Sequence, residues 1–188
     1  MNNSISKLIG KVNEKKHSVR RVSEDSSRTS LNNILNDKTP FSITEAYKTA
    51  RTNLIFSLAD VEGCKKIIFT SAEPGEGKTT SILNTAITFA QTGAKVLVID
   101  GDMRKPRVHR YLEIEKTNGL SDLLIGLIDD KTAIHHCKSK SIDCIPAGQI
   151  PPNPVELLSS EKMKHLLERV SENYDYVFID TPPVTVVT

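Results

Sequence analysis

SAEPGEGKTT, residues 71–80, is a glycine-rich turn set between an apolar run, Ile67-Ile68-Phe69, and a helix-forming stretch that starts near Lys78. Strand, glycine turn and helix in that order make a phosphate-binding loop, whose pattern is G-x-x-x-x-G-K-[ST]. Counting back from Gly77-Lys78-Thr79, the first glycine position holds Ala72. The loss is small, because that position is where strand gives way to loop. In such a turn backbone N–H groups converge on phosphate oxygens, and the helix N-terminus adds partial positive charge. Gly75 and Gly77 supply backbone freedom and room for close approach. Lys78 reaches the outer phosphates, and the Thr79 hydroxyl suits Mg²⁺. The candidate nucleotide-binding residues are thus Pro74, Gly75, Glu76, Gly77, Lys78, Thr79 and Thr80. The bland alternative is an ordinary strand-to-helix turn with a surface lysine.

Working outward, strands are expected at Lys66–Thr70, Val96–Ile99, Ile142–Ile145 and Tyr176–Asp180. The runs Val96-Leu97-Val98-Ile99 and Val177-Phe178-Ile179 show no alternation, which suits strands buried on both faces of a parallel sheet. Helices are expected from Ser42, over Lys78–Gln91 with Gly93 as its cap, around Ser121–Leu127 and Lys131–Cys137, after Asn153-Pro154, and over Ser160–Glu172. Ser42-Ile43-Thr44-Glu45 reads as a capping box. Ala46, Ala50, Leu54 and Leu58 then fall on one helical face, and Gly63 ends that segment. Strand and helix alternate, so the class is α/β, a mostly parallel sheet with flanking helices, of the P-loop NTPase kind. The domain is expected over residues 41–188, behind a disordered basic arm at 1–40.

Two more strand ends carry chemistry. Val98-Ile99-Asp100-Gly101-Asp102 puts two carboxylates just past the C-terminal end of a strand, the edge where ligands bind in open α/β sheets. One carboxylate can take a proton and either can hold a metal. Phe178-Ile179-Asp180 ends the last strand in the same way, as expected of a carboxylate that supports Mg²⁺. Either could be a polar turn. Three strand ends carrying the right groups at one edge indicate an Mg-nucleotide site, with Thr79, Asp100, Asp102 and Asp180 as metal candidates.

Composition bounds the rest. The 188 residues suffice for one domain with a real core, and the net charge is +2. Residues 1–40 hold eight cations against four acids. That modest excess reads as a solvated tail, with anionic membrane or nucleic acid as the alternative. Three cysteines, Cys64, Cys137 and Cys144, without a C-x-x-C, suit a reducing compartment and idle thiols. There is no membrane span and no apolar leader, so a cytoplasmic protein is expected. His109, His135, His136 and His165 are scattered and make no metal motif.

The segments SAEPGEGKTT, VLVIDGDMRKP, GQIPPNPVELLSSEKM and YDYVFIDTPPV resemble the Walker A, Walker A′, connecting and Walker B segments of bacterial tyrosine kinases of the capsular or exopolysaccharide type. The resemblance covers about Ser42 to the C-terminus. It implies an autophosphorylating, ATP- and Mg²⁺-dependent protein tyrosine kinase. Lys78, Asp100 and Asp102 would be catalytic, with the two acids serving the metal and the tyrosine hydroxyl. It also implies a transmembrane activator of the polysaccharide co-polymerase type, attachment to the inner membrane face through that partner, protein substrates and no nucleic acid. Glu45, Lys48 and Arg51 match an E-x-x-R-x-x-R motif that joins subunits of this family into a ring. Lys48 replaces the middle arginine and cannot reproduce its bidentate grip. The chain stops at Thr188, just after the Walker B segment, whereas family members continue, so exposed edges and aggregation are expected. Two other functions fit the loop. One is a partitioning-type ATPase, whose relatives place a second lysine where this chain has Glu73. The other is an inactive chain that only binds its membrane partner.

Overall fold

The computed structural model describes residues 33–186. Most of the expected basic arm lies outside the described residues. The chain divides into two units after Ile34, and the second, from Leu35 on, is described below. It contains helices α1 (Phe41–Ser57), α2 (Lys78–Ala90), α3 (Val108–Tyr111), α4 (Leu120–Ile125), α5 (Asp130–Ala133), α6 (Pro154–Leu158) and α7 (Glu161–Ser171). Its strands are β1 (Lys65–Phe69), β2 (Val96–Asp100), β3 (His135–Cys137), β4 (Ile142–Ile145) and β5 (Tyr176–Asp180).

The strands form one sheet in the order β1-β5-β2-β4-β3. All pairs are parallel except β3 with β4. The expected mostly parallel α/β architecture is therefore present. Every residue of β2 is buried, as its unbroken apolar run requires, while β1 at the edge alternates between half-buried and exposed. One face of the sheet packs on α2. There Phe89 meets Phe178 edge-on at 5.4 Å and Tyr176 at 4.4 Å between ring centroids. The other face presents Leu97, Ile99, Val177 and Ile179 to Leu120, Leu124, Met163 and Leu166 of α4 and α7. Helix α2 is buried on nearly all sides, so its polar residues need internal partners. Thr85 and Thr88 donate to the carbonyls of Ser81 and Thr85, and Asn84 Oδ1 accepts from Leu35 N at 2.9 Å.

Three local expectations are corrected. The capping box does not form: α1 starts at Phe41, and the Pro40 carbonyl accepts from both the Ile43 and Thr44 amides. Proline has no N–H to lose at that position and holds the chain extended into the helix. Ser42 therefore lies within the first turn, and the helix stops at Ser57, before Gly63. The inward face of α1 is also not the one expected. Ala46 and Ala50 are exposed, whereas Thr44, Tyr47, Lys48, Arg51, Leu54 and Leu58 are half-buried. Arg51 decides this rotation, because its guanidinium donates to the Thr88 carbonyl of α2 at 2.7 Å. Finally, the helix expected over Lys131–Cys137 ends at Ala133. Ile134 is extended, and His135–Cys137 runs antiparallel to β4 with His136 opposite Asp143. The remaining elements match, with Pro154 at the first turn of α6 and Ser160 Oγ accepting from Met163 N at the start of α7.

Candidate active site

Register brings the strand-end groups together. Phe69 of β1 and Asp100 of β2 are both partnered with Asp180 of β5, so three strands end in line at the C-terminal edge of the sheet. The glycine loop leaves β1 there and enters α2 through Gly77. Gly75 and Gly77 have φ of +92° and +83°, values that L side chains rarely adopt. No heavy atom lies within 4 Å of a Cβ built at either, so in this structure the glycines supply conformation rather than clearance. Glu76 turns back on the loop. Its Oε2 accepts from the amides of Ala72 at 3.1 Å and Glu73 at 3.3 Å, which fixes the start of the turn.

Lys78, at the first position of α2, pairs through Nζ with Asp180 Oδ1. Thr79 Oγ1 donates to Asp180 Oδ2 at 2.7 Å. One buried carboxylate thus holds both groups expected to meet phosphate and metal. Asp100 is wholly buried and accepts from the amides of Asp102 at 3.2 Å and Val108 at 3.1 Å. Burial, with the charge of Asp180 beside it, pushes the Asp100 carboxyl up to about 7. Burial also raises Asp180, against the pull of Lys78. Asp102 lies half-buried at the rim, with its Oδ1 accepting from Lys105 N at 3.0 Å.

Gly101 is a residue of this site that the sequence reading passed over. Its amide donates to the Asp180 carbonyl at 2.7 Å, and a Cβ built on it would sit 2.8 Å from that oxygen. Only glycine lets β2 turn out of the sheet this close to β5. The D-G-D spacing was the available signal, since a turn between two functional acids leaves little room for a side chain.

Lys78, Thr79, Asp100 and Asp180 are thus gathered at one edge, with Asp102 beside Asp100. Glu45, Lys48 and Arg51 are elsewhere, on α1. Lys48 Nζ bonds Glu45 Oε1 at 2.9 Å, and Arg51 holds α1 to α2. His136 pairs with Asp143 on the β3–β4 edge and His165 with Glu168 on α7, away from these groups. Among the described residues no His, Cys, Asp and Glu cluster of three or more is gathered to hold a metal by itself. The donors present are a hydroxyl and carboxylates. They suit Mg²⁺, which keeps several waters and takes its other ligands from phosphate. No helix among the described residues is long and apolar enough to cross a membrane.

A family model described as an AAA domain matches residues 64–188. Tyrosine-protein kinase YwqD of Bacillus subtilis is 46% identical over 143 residues, which are 76% of this chain and 60% of that protein. CapB of Staphylococcus aureus is 37% identical, over 82% of this chain and 67% of its own length. The chain therefore spans only part of these relatives, 60% of the first and 67% of the second. Among solved structures, the chimerical protein CapA2B2 superposes with a TM-score of 0.76 at 38% identity, over 85% of this chain and 69% of that one. More distant is the septum site-determining protein MinD of Pyrococcus horikoshii, complexed with Mg-ADP. It has a TM-score of 0.55 at 26% identity, over 64% of this chain and 49% of its own.

Proposed function

We propose a function for this chain from one premise: it belongs to the bacterial tyrosine-protein kinases. The proposed reaction is transfer of the γ-phosphoryl group of ATP to a tyrosine hydroxyl, in the control of capsular or exopolysaccharide synthesis. A single observation carries it, the convergence of Lys78, Thr79, Asp100 and Asp180 on one sheet edge. Lys78 and the loop amides from Gly75 to Thr80 would hold the phosphates, with Pro74 and Glu76 shaping the loop. Thr79, Asp100, Asp102 and Asp180 would hold Mg²⁺. Bound there, the ion would offset the negative charge that develops on the transferred group. In the reaction the bond from the γ-phosphorus to its bridging oxygen breaks and a bond to the tyrosine oxygen forms. The phenol proton passes to one of the two carboxylates at the end of β2, Asp100 or Asp102.

For Lys78 to reach phosphate it must leave Asp180, so the carboxylate acts as a stand-in anion until nucleotide arrives. The proposed partner is a transmembrane activator of the polysaccharide co-polymerase type, which would hold the chain at the inner membrane face. The proposed ring contact uses Glu45, Lys48 and Arg51 of α1. Glu45 and Lys48 are exposed enough to meet a neighbouring subunit. Arg51 would have to do so while keeping its bond to α2.

Calorimetric titration with ATP tests the site. Binding should require Mg²⁺ and be lost in Lys78→Met. Binding that survives the substitution would refute the assignment. Phosphotyrosine formed by the wild type and not by Lys78→Met would then establish the reaction. Phosphate release with no tyrosine labelling would instead favour a partitioning-type ATPase.

A further inference from the structure

The segment that follows the two catalytic acids contains far more cation than the site needs. Arg104, Lys105, Arg107 and Arg110 occur within seven residues, with no acid before Glu113, and all four are exposed. The backbone between them is fixed. Met103, Pro106 and Val108 are buried, the Lys105 amide is bound to Asp102, and the Val108 amide to Asp100. Buried anchors thus alternate with outward cations along an arc that begins at the carboxylates proposed to meet the tyrosine hydroxyl. Among the described residues, Lys105, Arg107 and Arg110 make no ion pair. Packing of Met103 and Val108 does not call for three unpaired cations beside them.

Charge balance at the rim indicates what they meet. The rim also holds Asp102, Glu73 and Glu76, which would repel an acidic segment approaching the loop. The cationic arc offsets that repulsion on the Asp102 side only. We propose that Lys105, Arg107 and Arg110 select an acidic, tyrosine-bearing peptide segment as the acceptor. The proposal rests on the kinase reading of the site and specifies its substrate class. A peptide is favoured over nucleic acid because the arc is short, four cations within seven residues, and starts beside Asp100 and Asp102. Repeating phosphates would need a longer basic track.

The test is fluorescence anisotropy of the 188-residue chain with two labelled tyrosine peptides, one rich in glutamate and one with glutamine at those positions. At low salt the acidic peptide should bind about tenfold more tightly, and the preference should shrink as salt screens it. Lys105→Gln/Arg107→Gln/Arg110→Gln should abolish the preference, and Arg107→Glu/Arg110→Glu should make a lysine-rich peptide the better ligand. Mg-ATP affinity, measured in parallel, should not change in either variant. Equal binding of the two peptides, or of neither, overturns the proposal. So does a fall in Mg-ATP affinity in the triple variant, which would assign the arc to the nucleotide. Single-stranded DNA or anionic vesicles that bind the arc more tightly than the acidic peptide overturn it as well. A wild-type chain that prefers the acidic peptide but binds no Mg-ATP would overturn the kinase reading and with it the acceptor role, leaving the arc a peptide-binding surface only.

Discussion

Asp100 and Asp180 lie directly opposite each other in register, at the ends of two adjacent parallel strands, both almost fully buried. Among the described residues Asp180 is paired with a cation, Lys78. Burial, and after it the charge of Asp180 alongside, pushes the Asp100 carboxyl up to about 7.

A stability profile against pH should expose Asp100. Its folded pKa of about 7 exceeds the ordinary value of 3.8, so the folded state binds the proton more tightly. The resulting stability is fully present below about pH 4 and is lost as pH rises towards 7, a change of a few kcal/mol. Urea melts of wild type and Asp100→Asn between pH 5 and 8 measure it. The wild type should weaken across that range and the variant much less. Parallel curves would mean that Asp100 titrates normally.

Lys78→Met should have a cost that depends on pH. It strands the buried Asp180 carboxylate, and losing one member of a buried pair costs about 3–5 kcal/mol when the other stays charged. At low pH Asp180 takes a proton and most of the penalty disappears. The penalty of the substitution, measured by melts at pH 5 and pH 8, should therefore shrink as pH falls, and a penalty independent of pH would contradict the pairing.

Gly101→Ala should be costly despite its size. The added methyl meets the Asp180 carbonyl at 2.8 Å, and backbone on both sides resists yielding. A loss of about 1–3 kcal/mol is expected, with weaker Mg-ATP binding because Asp180 is displaced. Denaturation and calorimetry on one preparation check both. An unchanged melt would show that β2 and β5 separate freely here.

Arg51→Ala should loosen α1. The helix has no fully buried residue, and the bond from Arg51 to the Thr88 carbonyl ties it to α2. Amide exchange in residues 41–57 should quicken while α2 stays protected. Simultaneous loss of protection in both would mean that α1 and α2 unfold as one unit.

What could be read in the sequence was what strand ends and turns dictate locally. Lys78 and Thr79 stood out because they follow the glycine turn, and Asp100 and Asp180 because each ends an unbroken apolar run, where parallel register then sets them opposite each other. The orientation of α1 was hidden, because Ala46 and Ala50 gave a regular stripe while a single long-range bond from Arg51 set the rotation. His135–Cys137 was hidden too. Three residues carry too little pattern to separate strand from helix, and only pairing with β4 decides it. The hold of Asp180 on Lys78 and Thr79 joins residues a hundred positions apart and has no local signature.

The outer side of β1 pairs with no described strand, and Ile68 stands 65% exposed on it, beside the exposed Lys66. Its backbone groups are a template that a second copy can complete, and such a step is bimolecular. Heating scans should therefore shift with protein concentration, and a charge placed at Ile68 should make them independent of it. Shelf life in solution would then be governed by a five-residue edge rather than by the strength of the core.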